Sequence, residues 1–132
     1  MNLNLIFVVM SEKITLLYVD DEPVNLMLFE INFKNTYSVL KAASGLEGLQ
    51  ILKEHPEISV VISDMKMPGM NGIEFIRKAH ADYPQIVFFI LTGYDITREI
   101  ADALNERLIH KYFSKPFNIR EIEKAIAEAL SV

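Results

Sequence analysis

The sequence predicts an α/β fold: a doubly wound, five-stranded parallel sheet with five helices packed on its two faces. Three observations point there. Short apolar, β-prone runs recur five times, and each is followed by a stretch with helical periodicity. Chemistry-bearing residues stand at the ends of three of these runs: Asp20-Asp21 after LLYV, Asp64 after VVIS, and Lys115-Pro116 just beyond HKYF. No Gly/Ser linker, internal repeat or low-complexity stretch separates the βα units, so they belong to one sheet.

Each element has its own justification. Ile14–Val19 is a continuous apolar run ending in acids, as a strand buried on both faces should be. Pro23 suits the first turn of a helix, to which Val24, Leu26-Met27-Leu28 and Ile31 give an apolar side. Tyr37–Ala43 reads as the second strand. Ser44 with Glu47 forms a capping-box pair opening a helix through Leu46, Leu49, Ile51 and Leu52, which Pro56 ends. Ile58–Ser63 is the third strand. The cluster Met67-Pro68-Gly69-Met70-Asn71-Gly72 is a dense turn signal. Asn71 with Glu74 then caps a helix whose apolar face uses Ile73, Phe75-Ile76 and Ala79, and Pro84 stops it. Ile86–Leu91 is apolar throughout except for its flanks and should be central, with Thr92-Gly93 closing it. Asp95 is expected to cap a helix to about Arg107. Leu108–Phe113 is the fifth strand, and Asn118 with Glu121 caps the last helix through Ile119, Ile122, Ile126 and Leu130.

Composition bounds the function. A chain of 132 residues with 51% apolar and 23% charged residues suits one globular domain. A net charge of −5 without a basic stripe argues against direct nucleic-acid binding. The absence of cysteine excludes disulfides, thiolate metal sites and a cysteine nucleophile, and a cytoplasmic location is expected. Leu3–Val9 is apolar but too short to span a bilayer, and it lacks the basic flank and cleavage site of a signal peptide. Residues 1–12 are therefore expected to be an extension before a domain spanning 13–132. The sharper alternative is that residues 3–9 form a strand added at an edge or against a neighbouring chain.

In an open parallel sheet the C-terminal strand ends converge on one crevice. Asp20, Asp21 and Asp64 would then share a pocket with Lys115. Carboxylates so close resist ionisation unless a cation joins them. Mg²⁺ suits two or three carboxylate oxygens plus waters. The lysine can hold an anion such as a phosphoryl group. Taken singly, these residues are unremarkable: an Asp-Asp pair is commonly a helix start, Thr92 a strand-end residue, and Tyr112 a half-buried strand aromatic. His55, His80 and His110 lack metal-ligand spacing, and Met65, Met67 and Met70 read as loop packing.

Together, LLYVDDEP, VVISDMKMPGMNG, ILTGY and YFSKPF resemble a response-regulator receiver domain, from about Ile14 to Leu130. The resemblance implies a flavodoxin-like (CheY-like) sheet of order 2-1-3-4-5. It implies phosphotransfer from a sensor histidine kinase or a phosphotransfer protein. Asp64 matches the phosphoacceptor. Asp21 matches a direct Mg²⁺ ligand, Asp20 one acting mainly through water, and the backbone carbonyl of Lys66 a further ligand. Thr92 matches the switch hydroxyl, Lys115 the family's lysine, Lys115-Pro116 its cis peptide, and Tyr112 the aromatic switch. Pro68 and Gly69 match the loop beside the phosphosite, and Lys66 and Tyr94 flank it. A switched face on the fourth helix, fifth strand and fifth helix is implied, as is a monomer or phosphorylation-dependent homodimer. One departure stands out: where receivers often carry a small Gly-Ala pair, this chain has Arg107-Leu108-Ile109-His110-Lys111. A bulkier, more polar switch face is expected.

Three competing functions are weaker. A degenerate receiver would act by contacts alone, without phosphorylation. A haloacid-dehalogenase-type phosphatase would want Asp-x-Asp on the first strand, with its nucleophile there; here the pair is adjacent. An FMN binder needs a hydroxyl- and glycine-rich loop after the first strand, where two acids would repel the FMN phosphate.

Overall fold

A computed structural model describes residues 13–93 and 95–131. The N-terminal extension, including the strand considered for residues 3–9, and Tyr94 lie outside the described residues. The strands are β1 (Thr15–Val19), β2 (Ser38–Ala42), β3 (Ile58–Asp64), β4 (Val87–Thr92) and β5 (Lys111–Ser114). The helices are α1 (Pro23–Phe33), α2 (Gly45–Glu54), α3 (Gly72–Asp82), α4 (Arg98–Asn105) and α5 (Ile119–Leu130). All pairings are parallel, in the order β2-β1-β3-β4-β5. The doubly wound fold and its strand order are thus those expected.

Side chains alternate across each strand, so the sheet has two differently filled faces. Leu17, Val19, Val61 and Ile90 point into an aliphatic-rich layer with Leu52 of α2, Ile73 and Ile76 of α3, and Ile100 of α4. Leu16, Tyr18, Phe89 and Phe113 point the other way, into a layer with Phe29 and Phe33 of α1 and Ile122 and Ile126 of α5. Each large side chain fully buried contributes about 1.5–3 kcal/mol. The second layer adds ring contacts: Tyr18 stacks on Phe29 at 4.0 Å, and Phe29 meets Phe33 at 4.4 Å.

Helix starts follow from side-chain oxygens that satisfy the otherwise unpaired first amides. Asn71 and Glu74 form a reciprocal capping box at α3. Asn118 Oδ1 accepts from Glu121 N at 3.0 Å. At α2, Ser44 Oγ accepts from Glu47 N at 3.1 Å, but the Glu47 carboxylate reaches Ala43 N, one residue earlier than a closed box requires.

Three expectations need correction. Thr97, not Asp95, caps α4: its hydroxyl accepts from Ile100 N at 3.3 Å, and the helix ends at Asn105. The fifth strand begins at Lys111 rather than Leu108. Arg107 sits at φ 60, which turns the chain, and Leu108 and Ile109 drop into the aliphatic layer before pairing begins. Their bulk is therefore buried, and only Arg107, His110 and Lys111 stay on the surface. The α1 helix is anchored by Phe29 and Phe33, while Val24, Met27, Leu28 and Ile31 face outward. The two rings fill the space above β1 and so set the helix rotation.

Candidate functional site

Strand register brings the expected residues together. Val19 lies opposite Ser63, Asp64 opposite Leu91, and Thr92 opposite Ser114. The ends of β1, β3, β4 and β5 therefore finish side by side, with Asp20, Asp64, Thr92 and Lys115 at or just beyond them. The cleft there encloses about 660 Å³ and is lined by Asp21, Asp64, Lys66, Pro68, Gly93 and Lys115.

Asp64, the last residue of β3, is 6% exposed. Its Oδ1 lies 3.1 Å from Lys115 Nζ. The ammonium also lies 3.5 Å from Asp20 Oδ2. Lys115 is held in turn by its backbone N, which donates to Thr92 O at 2.8 Å, and the Lys115-Pro116 peptide is cis, as the resemblance implied. Asp20 is fully buried. Its Oδ1 accepts from Glu22 N at 3.0 Å and its Oδ2 from the Tyr18 hydroxyl at 2.7 Å. Asp21 is half-buried at the rim, and Thr92 is buried at the end of β4. Tyr112 is half-buried and packs against the aliphatic layer, opposite Ile90 and two residues before Ser114, which ends the strand. Lys66 is exposed on the loop after β3.

That loop is shaped by two glycines. Gly69 has φ +78, a left-handed conformation that costs glycine little. Gly72 opens α3 hard against the end of β3: a Cβ there would meet the Asp64 carbonyl oxygen at 2.3 Å. Gly72 N donates to Met65 O at 2.8 Å, locking the turn.

The charges do not balance. Burial raises the Asp64 pKa above the ordinary carboxylate value. The hydrogen bond and charge of Lys115 oppose that rise, and the charge of Asp20 adds to it. For Lys115, burial favours loss of the proton, but its bonds to Asp64 and the charges of Asp64 and Asp20 outweigh this and raise its pKa. Burial and the Asp20 contact push the Tyr18 hydroxyl well up, so it stays a donor. Three carboxylates thus face Lys115, with Lys66 at the exposed edge of the cleft. One oxygen from each of Asp20, Asp21 and Asp64 lies within 4.8 Å of the others. A donor set made only of hard carboxylate oxygens, short of positive charge, fits a hard divalent cation.

The structure brings Asp20, Asp21, Asp64 and Lys115 together and lines the cleft with Lys66, whereas Tyr112 lines a separate pocket with Leu104, Ser114 and Pro116. Tyr18 was missed. Its signal was present: it is the polar residue in LLYV, two positions before Asp20, and alternation along a strand puts the two on one face.

A parallel sheet of order 2-1-3-4-5 whose strand ends gather three carboxylates and a lysine is the arrangement of a receiver-type domain. The comparisons agree. Residues 16–127 match the response regulator receiver domain, and the chain belongs to that family. It is 37% identical over 123 residues to the sporulation initiation phosphotransferase F of Bacillus subtilis (strain 168), covering 92% of this chain and 95% of that protein. It is 33% identical over 109 residues to the hydrogenase transcriptional regulatory protein HoxA of Cupriavidus necator, covering 82% of this chain. There the match spans only 22% of the relative's length. The crystal structure of a response regulator receiver domain protein from Clostridium thermocellum superposes with a TM-score of 0.79 at 30% identity, over 89% of this chain and 94% of that one. The chain is a receiver domain of the two-component response regulators, a family of phosphoacceptors that meet histidine kinases or phosphotransfer proteins. Among the described residues, no helix is long and apolar enough to cross a membrane.

Proposed function

We propose that Asp64 accepts a phosphoryl group from a phosphohistidine donor and that the resulting acyl phosphate switches the face formed by α4, β5 and α5. The observation that carries this is the Asp64 carboxylate itself: it is set at a strand end, 3.1 Å from Lys115 Nζ, and lines an open cleft beside two further acids. An ionised Asp64 oxygen attacks phosphorus, the bond from phosphorus to the donor nitrogen breaks, and the histidine leaves. Lys115 pairs with the phosphoryl oxygens. Such transfers need positioning and charge more than covalent help.

Asp21, Asp64 and the Lys66 carbonyl would hold Mg²⁺ directly, and Asp20 through a water. Bound there, the ion supplies the positive charge that favours an ionised Asp64 and offsets charge on the transferring group. Phosphorylation adds roughly −1 to −2 of charge and new acceptor oxygens. Thr92 donates to one of them, and Tyr112 follows into the space that Thr92 leaves. The phosphoryl group must favour the active state by a few kcal/mol to make it dominant. The protein acts as a switch that catalyses only its own phosphorylation and dephosphorylation. Residues 13–132 form the receiver unit and residues 1–12 an extension to it. The unit works in the cytoplasm as a monomer or phosphorylation-dependent homodimer.

The test is incubation with acetyl phosphate and Mg²⁺ followed by intact mass measurement. A labile gain of one phosphoryl group, absent in Asp64→Asn, is expected. A protein that gains no mass and binds no Mg²⁺ is a degenerate receiver, and the proposal fails.

A further inference from the structure

We infer that Tyr18 is a positioning residue for the cation site: its hydroxyl clamps the Asp20 carboxylate so that the site favours a small octahedral cation over a larger one. This rests on the proposed role of the acids in holding Mg²⁺. Nothing about a strand core calls for a hydroxyl at this position. The ring of Tyr18 stacks on Phe29 at 4.0 Å with 8° between planes, and a phenylalanine would fill the same space. The hydroxyl is carried instead into a region where Tyr18 is 1% and Asp20 0% exposed. A buried hydroxyl needs a partner, and its partner is the most deeply buried acid of the site, at 2.7 Å.

The consequence is geometric. With Glu22 N on Oδ1 and the Tyr18 hydroxyl on Oδ2, both oxygens of Asp20 are pinned and the carboxylate plane is fixed. Remove the hydroxyl, and Lys115 at 3.5 Å is the remaining side-chain partner of Oδ2. Asp20 can then pivot. Mg²⁺ demands near-ideal octahedral geometry, whereas Ca²⁺ accepts six to eight oxygens in flexible arrangements. A loosened carboxylate therefore harms Mg²⁺ binding more than Ca²⁺ binding.

The experiment is a titration of Mg²⁺ and, separately, Ca²⁺ into the full chain, followed by amide chemical shifts. Wild type, Tyr18→Phe and Phe33→Leu are compared. Outer contacts to metal ligands typically carry 10–100-fold in affinity, so Tyr18→Phe should weaken Mg²⁺ binding by about tenfold and Ca²⁺ binding by less than about threefold. Phe33→Leu loosens the same ring cluster without touching Asp20, and should lower the melting midpoint yet keep the wild-type Mg²⁺/Ca²⁺ ratio. An unchanged ratio in Tyr18→Phe overturns the inference, as does an equal change in Phe33→Leu. Failure of wild type to bind Mg²⁺ would remove the inference and the proposed cation site together. Normal wild-type binding with an unaltered ratio in Tyr18→Phe would remove the inference alone.

Discussion

Beneath α1 and α5 the sheet is covered by rings interleaved with aliphatic chains, and beneath α2, α3 and α4 mostly by aliphatic chains. The ring layer reaches the crevice twice. Tyr18 holds Asp20, and Phe117, two residues after Lys115, packs against Phe29 and Phe33. The aliphatic layer reaches the groups that the proposed switch must move, with Tyr112 packed against it from β5 and Leu104 from α4. Interlocked aromatic rings have few alternative packings, and close-packed interiors change between discrete arrangements rather than deform smoothly. The contrast suggests a division of labour, in which one face holds the acids and the lysine while the other accommodates the phosphorylated state.

Mutations can break or sharpen that contrast. The largest effect is expected from Phe29→Ala, which removes the ring that Tyr18, Phe33 and Phe117 all touch. Urea unfolding should show a loss of about 3–5 kcal/mol, and cation affinity should fall with it. A loss below about 1 kcal/mol would mean that the ring layer is not the frame. Next is Gly72→Ala, whose Cβ would meet the Asp64 carbonyl oxygen at 2.3 Å. Displacing α3 or β3 to relieve that contact should cost about 1–3 kcal/mol. The Asp64 amide resonance should move, and an unmoved amide would show that the contact relaxes elsewhere. In the aliphatic layer, Ile90→Val should cost only about 0.5–1.5 kcal/mol and leave Mg²⁺ affinity unchanged. A change in that affinity would show that both faces position the acids.

The subtlest expectation concerns pH. The pKa of Asp64 is raised in the folded protein, chiefly by burial. Above the ordinary carboxylate value the folded state then binds more protons than the unfolded one, so ionising Asp64 costs stability as pH rises. Asp64→Asn should therefore melt higher than wild type near neutral pH without Mg²⁺. The gap should narrow as pH falls through the raised value of folded Asp64 and be closed below the ordinary aspartate value. A variant that melts lower at neutral pH would show that the Lys115 pair outweighs the burial of the charge.

Much of this was legible in the chain. Asp20, Asp21, Asp64 and Lys115 each end or follow an apolar run, and parallel topology does the rest. Asn71 and Glu74 announced α3 because capping is local chemistry. What was not legible depends on packing. The rotation of α1 is set by Phe29 and Phe33 filling the space over β1, so its other apolar residues could not reveal which side faces in. Leu108 and Ile109 are as apolar as a strand, and only the left-handed turn at Arg107 takes them out of the ladder. Asp95 and Thr97 are both able caps, and the choice between them lies in the backbone. Tyr18 could be placed on the Asp20 face by alternation, but the bond between them depends on the ring stacking on Phe29.

The most direct measurement of the central claim is an amide chemical-shift map of the protein with and without Mg²⁺ and beryllofluoride, a phosphoryl mimic. The account predicts saturable shifts at Asp64 and Thr92 that continue through Lys111, Tyr112 and α4, with the amides of Tyr18, Phe29 and Phe33 little changed beyond the immediate site. Shifts concentrated in α1 and its rings, with Tyr112 and α4 still, would contradict it.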